Sequence, residues 1–181
     1  MIFPLSGYLV YNDFFEGPEA VKFDIKEYRF HTTFHTYDES LKSFDRVLAA
    51  VKQCRLIEKG AYTWYPNHFG PIIIDNIETK DFKLVKGTNL LQEMDNLVDN
   101  INDRYFCIHD LPLERQIIKD KIHYLLRLIP FDTCIFFQYN VAVTPYNPGS
   151  KKLIEHNLFD YFYFLIGYNK EKFYLITLFY E

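Results

Sequence analysis

A chain of 181 residues is long enough to bury a sizeable core and short enough to be one domain, residues 1–181. Its 49% hydrophobic content, with 18 Phe and 15 Tyr against 7 Gly and 8 Pro, excludes disorder and low complexity. A net charge of −4 opposes nucleic acid as a partner, because phosphate binding draws on a basic surface.

The opening MIFPLSGYLVYNDFF lacks the basic n-region of a secretory signal and is expected to belong to the mature protein. One strand is expected near Leu5 to Tyr11 and another from Val21 to Phe34, with Gly17-Pro18 between them. The second changes phase. Val21, Phe23 and Ile25 share one parity and Tyr28, Phe30 and Phe34 the other, which a bulge near Lys26 and Glu27 reconciles.

Thr36-Tyr37-Asp38-Glu39 has the form of a capping box and predicts a helix running to about Glu58, with Leu41, Phe44, Val47, Leu48 and Val51 on its buried face and Gly60 as its stop. An aromatic loop follows, with Tyr62, Trp64, Tyr65 and His68, then a short strand over Ile72 to Ile74 with Phe82 to Val85 as its partner. Thr88 or Asn89 caps a second helix whose buried stripe is Leu90, Leu91, Met94, Leu97, Val98 and Ile101. A third helix enters at Asp110-Pro112, counts Leu113, Ile117, Leu125 and Leu128 among its apolar positions, and stops at Pro130. A strand from Cys134 to Val143 leads through a Pro145, Pro148 and Gly149 loop to Asp160–Glu181.

That last stretch, DYFYFLIGYNKEKFYLITLFYE, is apolar on both faces of two strands, with Asn169 to Lys172 as the loop between them. It falls well short of the roughly 20 uninterrupted apolar residues that span a bilayer, so no membrane is expected. Strands covered on both faces belong inside a sheet. The sequence therefore predicts an α+β fold: a mostly antiparallel sheet, about three helices, and the C-terminal hairpin at the sheet centre.

Chemistry-bearing patterns are sparse. His31 with His35, and Cys107 with His109, each offer two metal ligands, but the spacing matches no zinc motif, and neither metal nor cofactor is expected. Cys54, Cys107 and Cys134 are odd in number and widely spaced, as expected for reduced thiols in the cytoplasm. No phosphate-cradling glycine motif or nucleophile elbow is present. Asp75 and Glu78, or Asp160 and Glu181, could pair for acid–base work, yet their positions at turns and strand ends fit solvated carboxylates better.

From Thr88 to Asp103 the chain carries Glu93, Asp95, Asp99 and Asp103 and no base. Asp95, Asp99 and Asp103 are spaced by four and stack along one side of a helix, at about 0.2–0.5 kcal/mol per like-charge pair. Two explanations stand side by side: a solvated face balanced by lysines elsewhere in the fold, or a surface made for a basic partner. Under the second, changing the three Asp to Asn is expected to leave helix stability unchanged or slightly raised.

The acidic, aromatic-rich chain closing on LFDYFYFLIGYNKEKFYLITLFYE resembles the immunity proteins that protect bacteria from polymorphic and contact-dependent growth-inhibition toxins. The resemblance implies a cytoplasmic, non-enzymatic inhibitor that binds one cognate toxin domain, often a basic nuclease, and covers its active site. It carries over no catalytic residue. The expected partner-binding set is Glu93, Asp95, Asp99 and Asp103 together with Tyr62, Trp64, Tyr65 and His68. Two other classes stay open: a small cytosolic enzyme using Cys107 with His109 or the Trp64–His68 loop, and a structural or regulatory subunit of an oligomer. The oligomeric state is not readable from the sequence.

Overall fold

The computed structural model of the protein describes residues 6–15, 21–29, 41–54, 68–69, 72–100, 111–140 and 161–180. In chain order these form β1 (Ser6–Phe15), β2 (Val21–Arg29), α1 (Leu41–Cys54), β3 (His68–Phe69), β4 (Ile72–Ile73), β5 (Phe82–Val85), α2 (Leu90–Asp99), α3 (Leu111–Leu126), β6 (Ile135–Tyr139), β7 (Tyr161–Tyr168) and β8 (Lys172–Tyr180), with short 3-10 turns between β4 and β6. Six strands build one antiparallel sheet in the order β1-β2-β8-β7-β6-β5. The fold is α+β, and the C-terminal hairpin occupies the two central positions.

That hairpin turns on Asn169. Its side-chain carbonyl accepts the amides of Glu171 and Lys172 at 2.9 Å each, and its own amide donates to the Lys172 carbonyl at 2.9 Å. Asn suits the position because its side chain imitates the next backbone carbonyl.

Each face of the sheet is covered by helix. On one side Tyr163, Leu165, Tyr174, Ile176 and Leu178 meet Leu90, Met94 and Val98 of α2 and Ile118, Ile122, Leu125 and Leu126 of α3. On the other, Phe164, Ile166, Tyr168, Phe173 and Leu175 meet Phe44, Val47, Leu48 and Val51 of α1. The apolar run on both faces of the hairpin thus has a partner layer on each side, at about 1.5–3 kcal/mol for each large side chain removed from water. Phe44 anchors the α1 side, stacked on Phe137 with ring centroids 3.9 Å apart.

The double cover also explains the phase change in β2. Phe23 and Ile25 join the α2/α3 layer and Tyr28 the α1 layer, as strict alternation requires. The bulge expected near Lys26 and Glu27 is not in β2, which pairs with β8 without a break from Lys22 to Arg29. The irregularity lies in β1, between Leu9 and Tyr11, opposite Lys26 and Ile25. Two further expectations are corrected. Ile72–Ile73 pairs with His68–Phe69, and Phe82–Val85 pairs with β6, where Phe82 packs on Phe44 and Tyr139. In α2 the buried positions are Leu90, Met94 and Val98, while Leu91 turns outward.

β6 is pinned to β7 by close packing. Gly167 lies opposite Phe136, whose ring covers it so closely that a Cβ there would stand 2.5 Å from the ring. The aromatic ring fills the space that a side chain on Gly167 would need. The capping box at Thr36–Glu39, the helix stop at Gly60, and Ile101 lie outside the described residues.

Candidate functional site

The acidic stripe lies on α2, and α3 packs beside it. Lys119 Nζ donates to both carboxylate oxygens of Asp99 at 2.7 Å, and His123 Nε2 donates to Asp95 Oδ1 at 2.7 Å. Glu93 accepts from the hydroxyl of Tyr163 on β7 at 3.3 Å. Lys119 and His123 are themselves four apart, so two helical ladders of equal pitch meet rung to rung. The spacing that pointed to an external base is matched inside the fold. Asp99 keeps a half-exposed carboxylate, at 54%. Asp103 lies outside the described residues, as do Tyr62, Trp64 and Tyr65. His68 opens β3, paired through its backbone with Ile73.

The outward side of α3 carries a feature that the sequence analysis did not single out: three of the apolar positions it counted on this helix face water, with Tyr124 beside them. Leu113, Ile117, Tyr124 and Leu128 are all exposed, Tyr124 at 63%, Leu113 at 54% and Leu128 at 49%. At about 100° per residue Leu113, Ile117 and Tyr124 fall within an arc of about 40°, roughly 130° round the helix from Ile118, Ile122 and Leu125, and Leu128 follows in the turn after α3. The helix has two apolar stripes, one in the core and one facing out. The signal was available: intervals of four, seven and four from Leu113 to Leu128 define a stripe of their own. Asp120, which accepts from Gln116 at 2.8 Å, and Lys121 and Arg127 flank it.

At the other end of the sheet β5 is the edge strand, and Leu84 on it is 66% exposed. An open groove of about 660 Å³ runs beside it, lined by Leu84, Val85, Leu91, Phe131 and Cys134 among others. Burial pushes the Cys134 thiol up to about 11, against weaker opposing help from Thr133, from Asn169, whose amide donates to the sulfur at 3.7 Å, and from Lys172. The thiol is therefore protonated at neutral pH and a poor nucleophile.

Among the described residues no three His, Cys, Asp or Glu side chains come together as a metal site would require. His31, His35, Cys107 and His109 lie outside those residues. No helix among the described residues is long and apolar enough to cross a membrane. Comparison of the chain with protein-family models, with curated proteins and with solved structures returns no match.

Proposed function

We propose that this protein is a non-catalytic binding protein that neutralises a cognate toxin domain by covering its active site, and that it docks through the outer face of α3. The observation that carries this reading is the stripe of Leu113, Ile117 and Tyr124, exposed on a helix whose core-facing side is already filled, with exposed Leu128 in the turn just past its end. Exposed apolar side chains interleaved with charged ones are a common composition of a docking face, and Tyr is a common anchor there. The kind of partner comes from the resemblance to toxin-immunity proteins.

The test is co-expression with any toxin C-terminal domain that a neighbouring gene encodes. The double change Ile117→Asp and Tyr124→Asp leaves the melting temperature within a few degrees, since both side chains already face water, and weakens binding and protection at least tenfold. Unchanged protection by the folded variant overturns the reading. A second reading, a subunit of a homo-oligomer, is favoured by the palindromic spacing of the stripe. An antiparallel two-fold pairing sets Leu113 against Leu128 and Ile117 against Tyr124 of the second copy. Sedimentation decides between them: a dimer dissociated by the same double change supports the second reading, and a monomer excludes it.

A further inference from the structure

The hydrogen-bond phase of the sheet fixes what β5 presents at its outer edge. In an antiparallel ladder, directly opposed residues alternate between pairs that exchange N–H···O bonds and pairs whose peptide groups point the other way. Asn140 N donates to the Asp81 carbonyl at 2.7 Å, which makes 81/140 a bonded pair and, by register, Lys83/Gln138 and Val85/Phe136 as well. The peptide groups of Phe82 and Leu84 then point away from β6. The hairpin gives the same answer independently. Asn169 N donates to Lys172 O, and carrying the alternation through β7 and β6 again turns Leu84 outward.

No described strand lies beyond β5. The Phe82 amide is taken by the Thr79 carbonyl, so the edge offers the Phe82 carbonyl and both the amide and the carbonyl of Leu84. Around them Lys83 and Lys86 are exposed and form no ion pair among the described residues, while Lys80 is paired with Glu78. Leu84 supplies the apolar contact.

We infer that the outer edge of β5 receives an extended acidic segment of a partner protein, added as a seventh strand of the sheet. Main-chain bonds to Phe82 and Leu84 give the attachment, and alternate side chains give the selectivity. An antiparallel guest places an apolar residue opposite Leu84 and carboxylates opposite Lys83 and Lys86. A second copy of β5 brings four lysines into one short ladder with no carboxylate to offset them, and lysines at an edge keep like strands apart. The inference rests on the strand edge alone and stands apart from the α3 reading.

The probe is a synthetic peptide, Ser-Thr-Glu-Thr-Val-Glu-Thr-Ser, titrated into the full chain while backbone amide resonances are followed. The Leu84 amide is expected to shift most among the β5 residues, and a peptide with both Glu changed to Lys should bind at least tenfold more weakly. N-methylation of the peptide at Val should abolish the shift. Leu84→Pro should keep the melting temperature near that of the parent but lose the peptide, because its amide takes no part in the ladder, whereas Lys83→Pro should lower the melting temperature. Equal binding of the Glu and Lys peptides, shifts that avoid β5, or Leu84 shifts that follow protein concentration without peptide would each overturn the proposal.

Discussion

Tyr139 carries a buried hydroxyl on β6 with no hydrogen-bond partner among the described residues, so folding strips it of water without replacement. Leaving such a group unbonded costs about 1–3 kcal/mol, and Tyr139→Phe is therefore expected to stabilise the protein, by about 1 kcal/mol in urea unfolding. A loss of stability would mean that the hydroxyl is bonded after all. Cys134 gives a pH signature. Its folded value of about 11 lies above the ordinary 9.0, so the unfolded state releases the proton first. The stability linked to this thiol is fully present below pH 9 and is lost as pH rises through the window from 9 to 11. Burial raises the Tyr139 hydroxyl as well, with Asp81 a smaller contributor, and adds loss of the same sign at higher pH. Melts between pH 8 and 11 should fall less steeply for Cys134→Ser than for the parent; parallel curves would remove Cys134 as a cause.

At the scale of elements, the α2–α3 contact reverses an expectation. With Asp95 and Asp99 bonded to His123 and Lys119, changing both to Asn lowers stability instead of sparing it, by about 0.2–1 kcal/mol for each pair. The Asp99 share should shrink at high salt because its carboxylate is half exposed. Adding Lys119→Gln to Asp99→Asn should cost less than the sum of the single changes, as expected for partners. Additive effects would show that the contact contributes nothing. The sequence could present the acidic ladder but not its basic complement, because Lys119 and His123 lie 20 and 28 residues further on, across a helix–helix packing that no local pattern encodes. The same limit applies to α3, where spacing alone made two apolar stripes equivalent and packing on the sheet chose Ile118, Ile122 and Leu125 for the core.

At the scale of the whole molecule, β7 and β8 join the two halves of the sheet, and Phe164, Ile166, Leu175 and Ile176 are buried on its two faces. A chain ending before Asp160 loses both central strands and splits the sheet into the separate pairs β1-β2 and β5-β6, so it should show no cooperative thermal transition by circular dichroism. A truncated chain melting near the parent temperature would contradict the central placement. By itself the sequence determined what depends on near neighbours: the α+β class, the helices over α1, α2 and α3, the Asn169 turn, and a hairpin so apolar on both faces that only an interior position could hold it. Register, the pairing of β5 with β6, the bulge in β1, the partners of Asp95 and Asp99, and the stripe of α3 left facing water were decided by tertiary structure. Each depends on contacts between segments far apart in the chain, where several arrangements satisfy the same local periodicity and only the packing of one layer on another separates them.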